Sequence, residues 1–237
     1  MTDLLDSLNP VQRQAVQHTE GALLLLSGAG SGKTRVITHR IAYLIRHHGI
    51  SPFNILAVTF TNKAAGEMKT RLENLVGERT SKLLWVSTFH SSCARILRRD
   101  IERLGYSSSF TIYDTADQLT LIKEILKALK FREEQNNPRA VLSTISNAKN
   151  ALMTPEIFAS TADGFFEQQV AQIYRVYQTF LRENNALDFD DLIMLAVELL
   201  ESCPDVLEYY QNKFRYILID EYQDTNHSQY RLVRALA

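Results

Sequence analysis

Eight consecutive residues, Ser27, Gly28, Ala29, Gly30, Ser31, Gly32, Lys33 and Thr34, have the types and order needed to hold a polyphosphate. The three glycines let the backbone curl until several N–H groups face one anion. Lys33 can reach the outer phosphates as a point charge, and the Thr34 hydroxyl can ligate magnesium. A helix beginning at this point adds its positive end. The common pattern has glycine five places before the Gly-Lys pair; Ser27 stands there, and a small residue suffices. An ordinary glycine turn would give no reason for the Lys-Thr pair. Such a loop needs a carboxylate from a second strand for magnesium and water. Tyr216 to Ile219, followed by Asp220 and Glu221, supplies it. Asp220 is placed to hold the metal, through water, and Glu221 to orient or deprotonate the attacking water. The plainer alternative, two acids capping a helix that begins near Asn226, leaves the paired glycine loop unexplained.

Together these residues predict binding of a nucleoside triphosphate with magnesium. Adenine presents a donor beside an acceptor, which a carboxamide can match. Gln12, just ahead of the first strand, is the candidate reader, although a glutamine on a short amphipathic helix is usually just solvated and does not by itself fix the base. The stretch Thr61-Asn62-Lys63-Ala64-Ala65 is close to a guanine-reading Asn-Lys-x-Asp element but lacks the aspartate.

The elements that must position these groups follow from periodicity. Leu8 to Thr19 reads as a short helix with Asn9 as N-cap and Pro10 in its first position. Ala22 to Leu26 is a solid apolar run, as in a strand buried on both faces of a parallel sheet. The helix after the glycine loop ends at Gly49. Ile55–Phe60 and Leu84–Ser87 read as strands, each followed by a helix, Lys63–Val76 and Ser91–Leu104. Strand–helix alternation of this kind implies an α/β fold with a right-handed, doubly wound parallel sheet. Beyond Asp114 the period turns helical, with Thr115 and Gln118 as a capping box and Pro138, Pro155 and Pro204 at helix starts. The expected organisation is therefore a P-loop domain formed by 1–113 plus 214–237, interrupted by an all-helical insertion, 114–213.

Composition narrows the class without fixing it. Hydrophobic residues make 45% and charged residues 22%, ordinary for a soluble globular protein, and the formal net charge is −1, so any nucleic-acid binding must come from a local surface. No apolar run reaches a membrane span and the N-terminus lacks a signal-peptide core, which makes no membrane association and a cytoplasmic location the expectation. Cys93 and Cys203 form neither a disulfide framework nor a zinc signature, and are expected reduced and packed in the core. Arg95, Arg98, Arg99 and Arg103 could form a phosphate-facing stripe, but Asp100 and Glu102 dilute it, and a salt-bridged helix face is the better reading. Asp188, Asp190 and Asp191 precede an amphipathic helix, so capping explains them more simply than metal binding.

Five segments in order resemble the UvrD/Rep/PcrA-type superfamily 1 DNA helicases. LNPVQRQAV is similar to their Q motif, SGAGSGKT to motif I, AVTFTNKAAGEM to motif Ia, STFH to motif Ib and LIDEYQDTN to motif II. The resemblance runs the length of the chain. It implies a RecA-like motor domain and an ATP-driven, 3′ to 5′ translocase or helicase acting on single-stranded DNA and on single-strand/double-strand junctions. It implies that Gln12 contacts adenine, that Arg35 lies beside the nucleotide, and that Gln223 couples the nucleotide site to the track. It also implies that Thr59, Phe60, Thr61, Asn62, Thr88, Phe89 and His90 line the DNA face. Aromatic rings stack on bases without sequence preference, at about 1–3 kcal/mol per base. Phe60 is read as a base contact or its immediate support; for Phe89 both core and DNA contact stay open.

In such motors a second motor domain supplies arginines to the γ-phosphate, worth about 10³–10⁵ in rate for such fingers. That domain has no counterpart before Ala237. The expectation is an N-terminal piece that binds ATP weakly, hydrolyses it slowly and does not unwind DNA, with an open sheet edge and poor solubility. Repair or replication proteins are the expected further partners. Two other readings remain: a P-loop kinase or small-substrate ATPase, for which no acceptor signature is visible, and a nucleotide-gated DNA or protein clamp without unwinding activity, against which Glu221 argues.

Overall fold

A computed structural model of the chain describes residues 4–28, 30–132 and 134–237. In chain order the helices are α1 (Pro10–Gln17), α2 (Lys33–His48), α3 (Asn62–Val76), α4 (Glu78–Ser81), α5 (Phe89–Asp100), α6 (Thr115–Ala128), α7 (Pro138–Asn150), α8 (Pro155–Thr161), α9 (Phe165–Glu183), α10 (Phe189–Ser202), α11 (Pro204–Lys213) and α12 (His227–Leu236). The strands are β1 (Ile55–Thr59), β2 (Trp85–Thr88), β3 (Thr111–Ile112), β4 (Ala186–Leu187) and β5 (Tyr216–Ile219). The protein is mostly helical with a small parallel sheet. It divides into two compact units: one of 1–92, 208–224 and 237, the other of 93–207 and 225–236. These divisions fall away from the switch in periodicity near Asp114.

In the first unit β1 lies between β2 and β5, both parallel to it, with Leu56 opposite Trp85 and Ile217. All five β1 residues are buried, as the central strand of a sheet covered on both faces requires. Ile41 and Leu44 of α2 and Met68 and Leu72 of α3 pack with Ile55, Ala57, Val86 and Leu218 to form the core. Helix α2 ends where Gly49 takes a left-handed conformation (φ 65°) and its N–H reaches the Leu44 carbonyl. Trp85, at the start of β2, is buried, donates its indole N–H to Ser92 Oγ at 3.1 Å and meets the Phe214 ring edge-on at 4.9 Å.

The apolar run Ala22–Leu26 is the main departure from expectation. It belongs to no strand of the sheet, and every residue from 21 to 28 is exposed; Leu26 is 87% accessible. A parallel strand needs a neighbouring backbone for its N–H and C=O groups, and no described strand lies beside this run. Among the described residues the sheet therefore has three strands, and β5 is an edge.

The second unit is a helical core. Ile122, Ile125 and Leu126 of α6, Val141 and Ile145 of α7, and Val170, Ile173, Tyr174, Tyr177 and Leu181 of α9 form one buried cluster. It is not all-helical. β3 and β4 form a two-residue parallel pair, fixed by Thr111 N–H to Asn185 O at 3.0 Å and Tyr113 N–H to Leu187 O at 2.8 Å. The cap of α6 is Asp114, not Thr115: its carboxylate accepts from the Ala116 and Asp117 N–H groups, with Asp117 as the reciprocal partner. Helix α5 begins at Phe89, two residues earlier than its pattern suggests, and gives way to a 3-10 turn at Ile101. Among the described residues no helix is long and apolar enough to cross a membrane.

Candidate functional site

The first unit brings the glycine loop and the acid pair together. Thr34 Oγ1 donates to Asp220 Oδ2 at 3.2 Å across 186 positions of sequence, and Lys33 Nζ lies 3.6 Å from Glu221 Oε2. Pairing of β1 with β5 continues one step past the strand, Asp220 N–H to Val58 O at 3.0 Å, and so sets Asp220 at the strand tip. Lys33 and Thr34 open α2, behind Gly32 in a left-handed conformation (φ 91°). Gly30 is also left-handed, at φ 75°. Ala29 lies outside the described residues.

Asp220 is the most informative group. It is only 7% accessible, and its Oδ1 has no hydrogen-bond partner among the described residues. Burial raises its carboxyl pKa above the usual range, with the hydrogen bond from Thr34 opposing and the Glu221 charge adding. A desolvated carboxylate with one spare oxygen, touching a threonine hydroxyl, is the donor set a hard divalent cation takes. The residues present thus fit magnesium.

Glu221 is a non-glycine residue with φ 54°. The Asp224 N–H returns to its carbonyl at 3.0 Å, closing a short turn over Tyr222–Asp224. Gln223 Nε2 donates to Glu221 Oε2, so the carboxylate is held between an amide and the Lys33 ammonium. Strain of this kind, about 1–3 kcal/mol, persists only where surrounding structure over-determines it, and it concentrates at functional sites.

Gln12 is close to the loop: its Nε2 donates to Ser31 O at 3.0 Å and its Oε1 accepts from Asn9 N–H at 3.1 Å. Ser31 Oγ donates to Gly28 O at 2.8 Å, and Lys33 Nζ reaches Ser27 O at 3.5 Å. Arg35 is exposed in the first turn of α2. The loop from Ser27, Gly28, Gly30, Ser31 and Gly32 through Thr34, with Gln12, Asp220, Glu221 and Gln223, is one cluster of groups.

The residues assigned to a DNA face sit at the β1 and β2 tips and split by burial. Thr59, Thr88 and Phe89 are buried, Phe60 and His90 half-buried, Thr61 and Asn62 exposed. Phe89, 2% accessible, is a core residue whose edge meets the Phe60 ring at 5.5 Å. Thr61 caps α3 through Ala64 N–H, and Thr88 Oγ1 accepts from Ser91 N–H.

The second unit contains a group the sequence reading missed. Lys149 is fully buried, and its ammonium donates to Asp188 Oδ2 and Asp191 Oδ1, both at 2.7 Å. Tyr177 Oη adds a bond to Asp188 at 3.0 Å and Gln178 Nε2 one to Asp191 at 3.1 Å. Asp188 also caps α10 in a reciprocal pair with Asp191, as expected. Burial opposes the charge on Asp188, but Lys149 and the hydrogen bonds hold its pKa below the usual range. Burial and the Asp188 charge push Asp191 up to about 6. A signal was available: Val141, Ile145 and Lys149 are spaced by four, placing a lysine on the buried stripe of α7. Two arginines of α5 and the 3-10 turn after it are engaged within this unit. Arg98 stacks 3.6 Å above the Phe110 ring, and Arg103 forks onto Asp205 with two bonds of 3.0 Å. Both cysteines are free and buried.

Comparison with known proteins gives a consistent picture. A sequence model of the UvrD/REP helicase N-terminal domain matches residues 8–237. The chain is 56% identical over 234 residues to the ATP-dependent DNA helicase PcrA of Bacillus subtilis strain 168, covering 99% of this chain and 32% of that protein. It is 55% identical over 237 residues to the PcrA of Staphylococcus epidermidis, and 54% over the same length to that of Staphylococcus aureus, in each case 100% of this chain and 32% of the relative. The chain thus spans about a third of the length of these curated relatives.

Proposed function

This chain belongs to the UvrD/REP helicase N-terminal domain family, and on that premise we propose that it is the ATP-holding part of an ATP-dependent DNA helicase that moves 3′ to 5′ on single-stranded DNA. The observation that carries the reading is the meeting of Thr34 with Asp220 and of Lys33 with Glu221 across the tips of one sheet.

The loop N–H groups and Lys33 bind and orient the triphosphate. Thr34 and Asp220 hold magnesium, which when bound neutralises charge on the outer phosphates. Glu221 takes the proton of the attacking water, and Gln223 holds the Glu221 carboxylate through Oε2. Gln12 and Arg35 flank the base and ribose side. Phe60, Thr61, Asn62 and His90, backed by the buried Thr59, Thr88 and Phe89, form part of the track, with Phe60 stacking on a base. Residues 1–113 and 214–237 act as the motor domain and 114–213 as its inserted subdomain. In the longer protein a second motor domain completes the site, and single-strand/double-strand junctions and repair or replication proteins are its partners.

The test is ATP hydrolysis with magnesium by the protein its gene encodes, with and without single-stranded DNA. Stimulation by DNA is expected. Glu221→Gln should keep nucleotide affinity and lower turnover by about 10²–10⁴-fold; equal loss of binding and turnover would remove Glu221 from its role as base.

A further inference from the structure

We infer that Gln12 is a positioning residue for the phosphate loop, bracing it through the Ser31 carbonyl, so that it governs affinity for the triphosphate whatever the base. The inference rests on the proposed ATP site and adds a second role to the same side chain.

A carboxamide has two donor hydrogens and two acceptor lone pairs. Gln12 commits one of each within the protein. Its Oε1 accepts from Asn9 N–H, while Gln12 N–H donates to Asn9 Oδ1 at 2.9 Å, the reciprocal cap of α1. Its Nε2 donates to Ser31 O at 3.0 Å. The side chain is thus pinned to the helix at one end and to the loop at the other. One donor hydrogen and one acceptor lone pair remain, the number adenine needs, so the brace leaves the amide capacity to read the base.

The brace has a directional consequence. The Ser31–Gly32 peptide is trans, so its carbonyl and the Gly32 N–H point in opposite directions. Anchoring Ser31 O on Gln12 turns the Gly32 N–H the other way, away from α1, and fixes that donor's orientation. Gly32 is fitted to this contact twice over. It sits at φ 91°, and a Cβ on it would stand 3.1 Å from Gln12 Nε2, so the amide would have to shift slightly to admit it. The Ser31 hydroxyl binds Gly28 O at 2.8 Å, so the brace reaches the start of the loop in one further step.

Gln12→Glu separates the roles. A glutamate keeps the acceptor that caps α1, the usual partner in a reciprocal cap, but turns the donor facing Ser31 O into a second acceptor. Binding of ATP, GTP and inorganic tripolyphosphate, each with magnesium, is measured for the wild-type protein and the variant, with circular dichroism to confirm that the fold is kept. All three ligands should bind the variant about five- to tenfold more weakly, the loss of one hydrogen bond. Tripolyphosphate has no base, and Gln12→Met, which removes the same hydrogen bond without adding a charge, should weaken its binding as well; a loss with Glu but none with Met would be repulsion by the new carboxylate and would overturn the brace. Unchanged tripolyphosphate affinity, a loss confined to ATP, or wild-type binding of ATP alone would overturn the inference. Failure of the wild-type protein to bind any of the three would instead remove the ATP site on which it rests.

Discussion

Two acid clusters in this protein begin the same way and end differently. Asp220 and Glu221 follow β5; Asp188, Asp190 and Asp191 follow β4. After β4 the chain enters a helix directly, and the acids fold back onto its first turn and onto Lys149. Their oxygens are taken up by an ammonium, a phenol, an amide and backbone N–H groups. After β5 the chain instead makes a left-handed step at Glu221, and Asp220 keeps a buried oxygen that no group among the described residues satisfies. An acid cluster offers chemistry where its lone pairs are left over, and residue type alone does not decide this. The second cluster is spent on structure; the first has capacity for a ligand.

The contrast can be broken by exchanging the consequences of mutation. The largest effect should come from Lys149→Met. It leaves two carboxylates buried without their cation, and should lower unfolding stability by about 3–5 kcal/mol in a urea titration. Loss of under about 1 kcal/mol would mean that the cluster is not a closed, mutually satisfied unit.

The pH dependence gives a smaller but more specific effect. Asp191 has a folded value of about 6, above the ordinary 3.8. Folding therefore favours its protonated form, and its contribution to stability is full below the unfolded value and is lost as pH rises through about 6. Asp188 is depressed and has the opposite sign: its contribution is present above the unfolded value and lost on acidification. Compared with Asp191→Asn, the wild-type protein should lose stability between about pH 4 and 7. A constant difference over that window would show that Asp191 does not titrate there.

The smallest stability effect belongs to the open cluster. Asp220→Asn keeps an acceptor for Thr34 and removes a desolvated charge, so unfolding should shift by less than about 1 kcal/mol, and toward greater stability at neutral pH. Magnesium-dependent nucleotide binding, followed by titration calorimetry, should be lost. A variant that still binds nucleotide with magnesium would deny Asp220 its place in the site.

What the sequence made legible was local chemistry. The glycine loop, the acid pair, the Asn9 and Asp188 caps and the helix stop at Gly49 each depend on a few adjacent residues, and each lies where its pattern puts it. What it hid was partnership across distance. Ala22–Leu26 has the composition of a buried strand, but a strand exists only beside another, and composition says nothing about the neighbour. β3 and β4 are two residues long and leave no periodic trace. The role of Lys149 is hidden beside Asp188-Phe189-Asp190-Asp191 because its partners lie 39 and 42 positions away. For Phe60 and Phe89 the pattern gave equal positions at strand tips, and only packing separates the buried ring from the half-buried one.

Trp85 is the chain's single tryptophan. Its indole is enclosed at the start of β2, bonded to Ser92 and crossed by Phe214, with the Lys213 ammonium 4.9 Å from the ring. Intrinsic emission excited at the red edge is therefore a spectroscopic window onto the sheet alone, silent about the helical core that surrounds Lys149. Fluorescence and far-ultraviolet dichroism recorded on one sample can time the melting of the two units separately, without any added label.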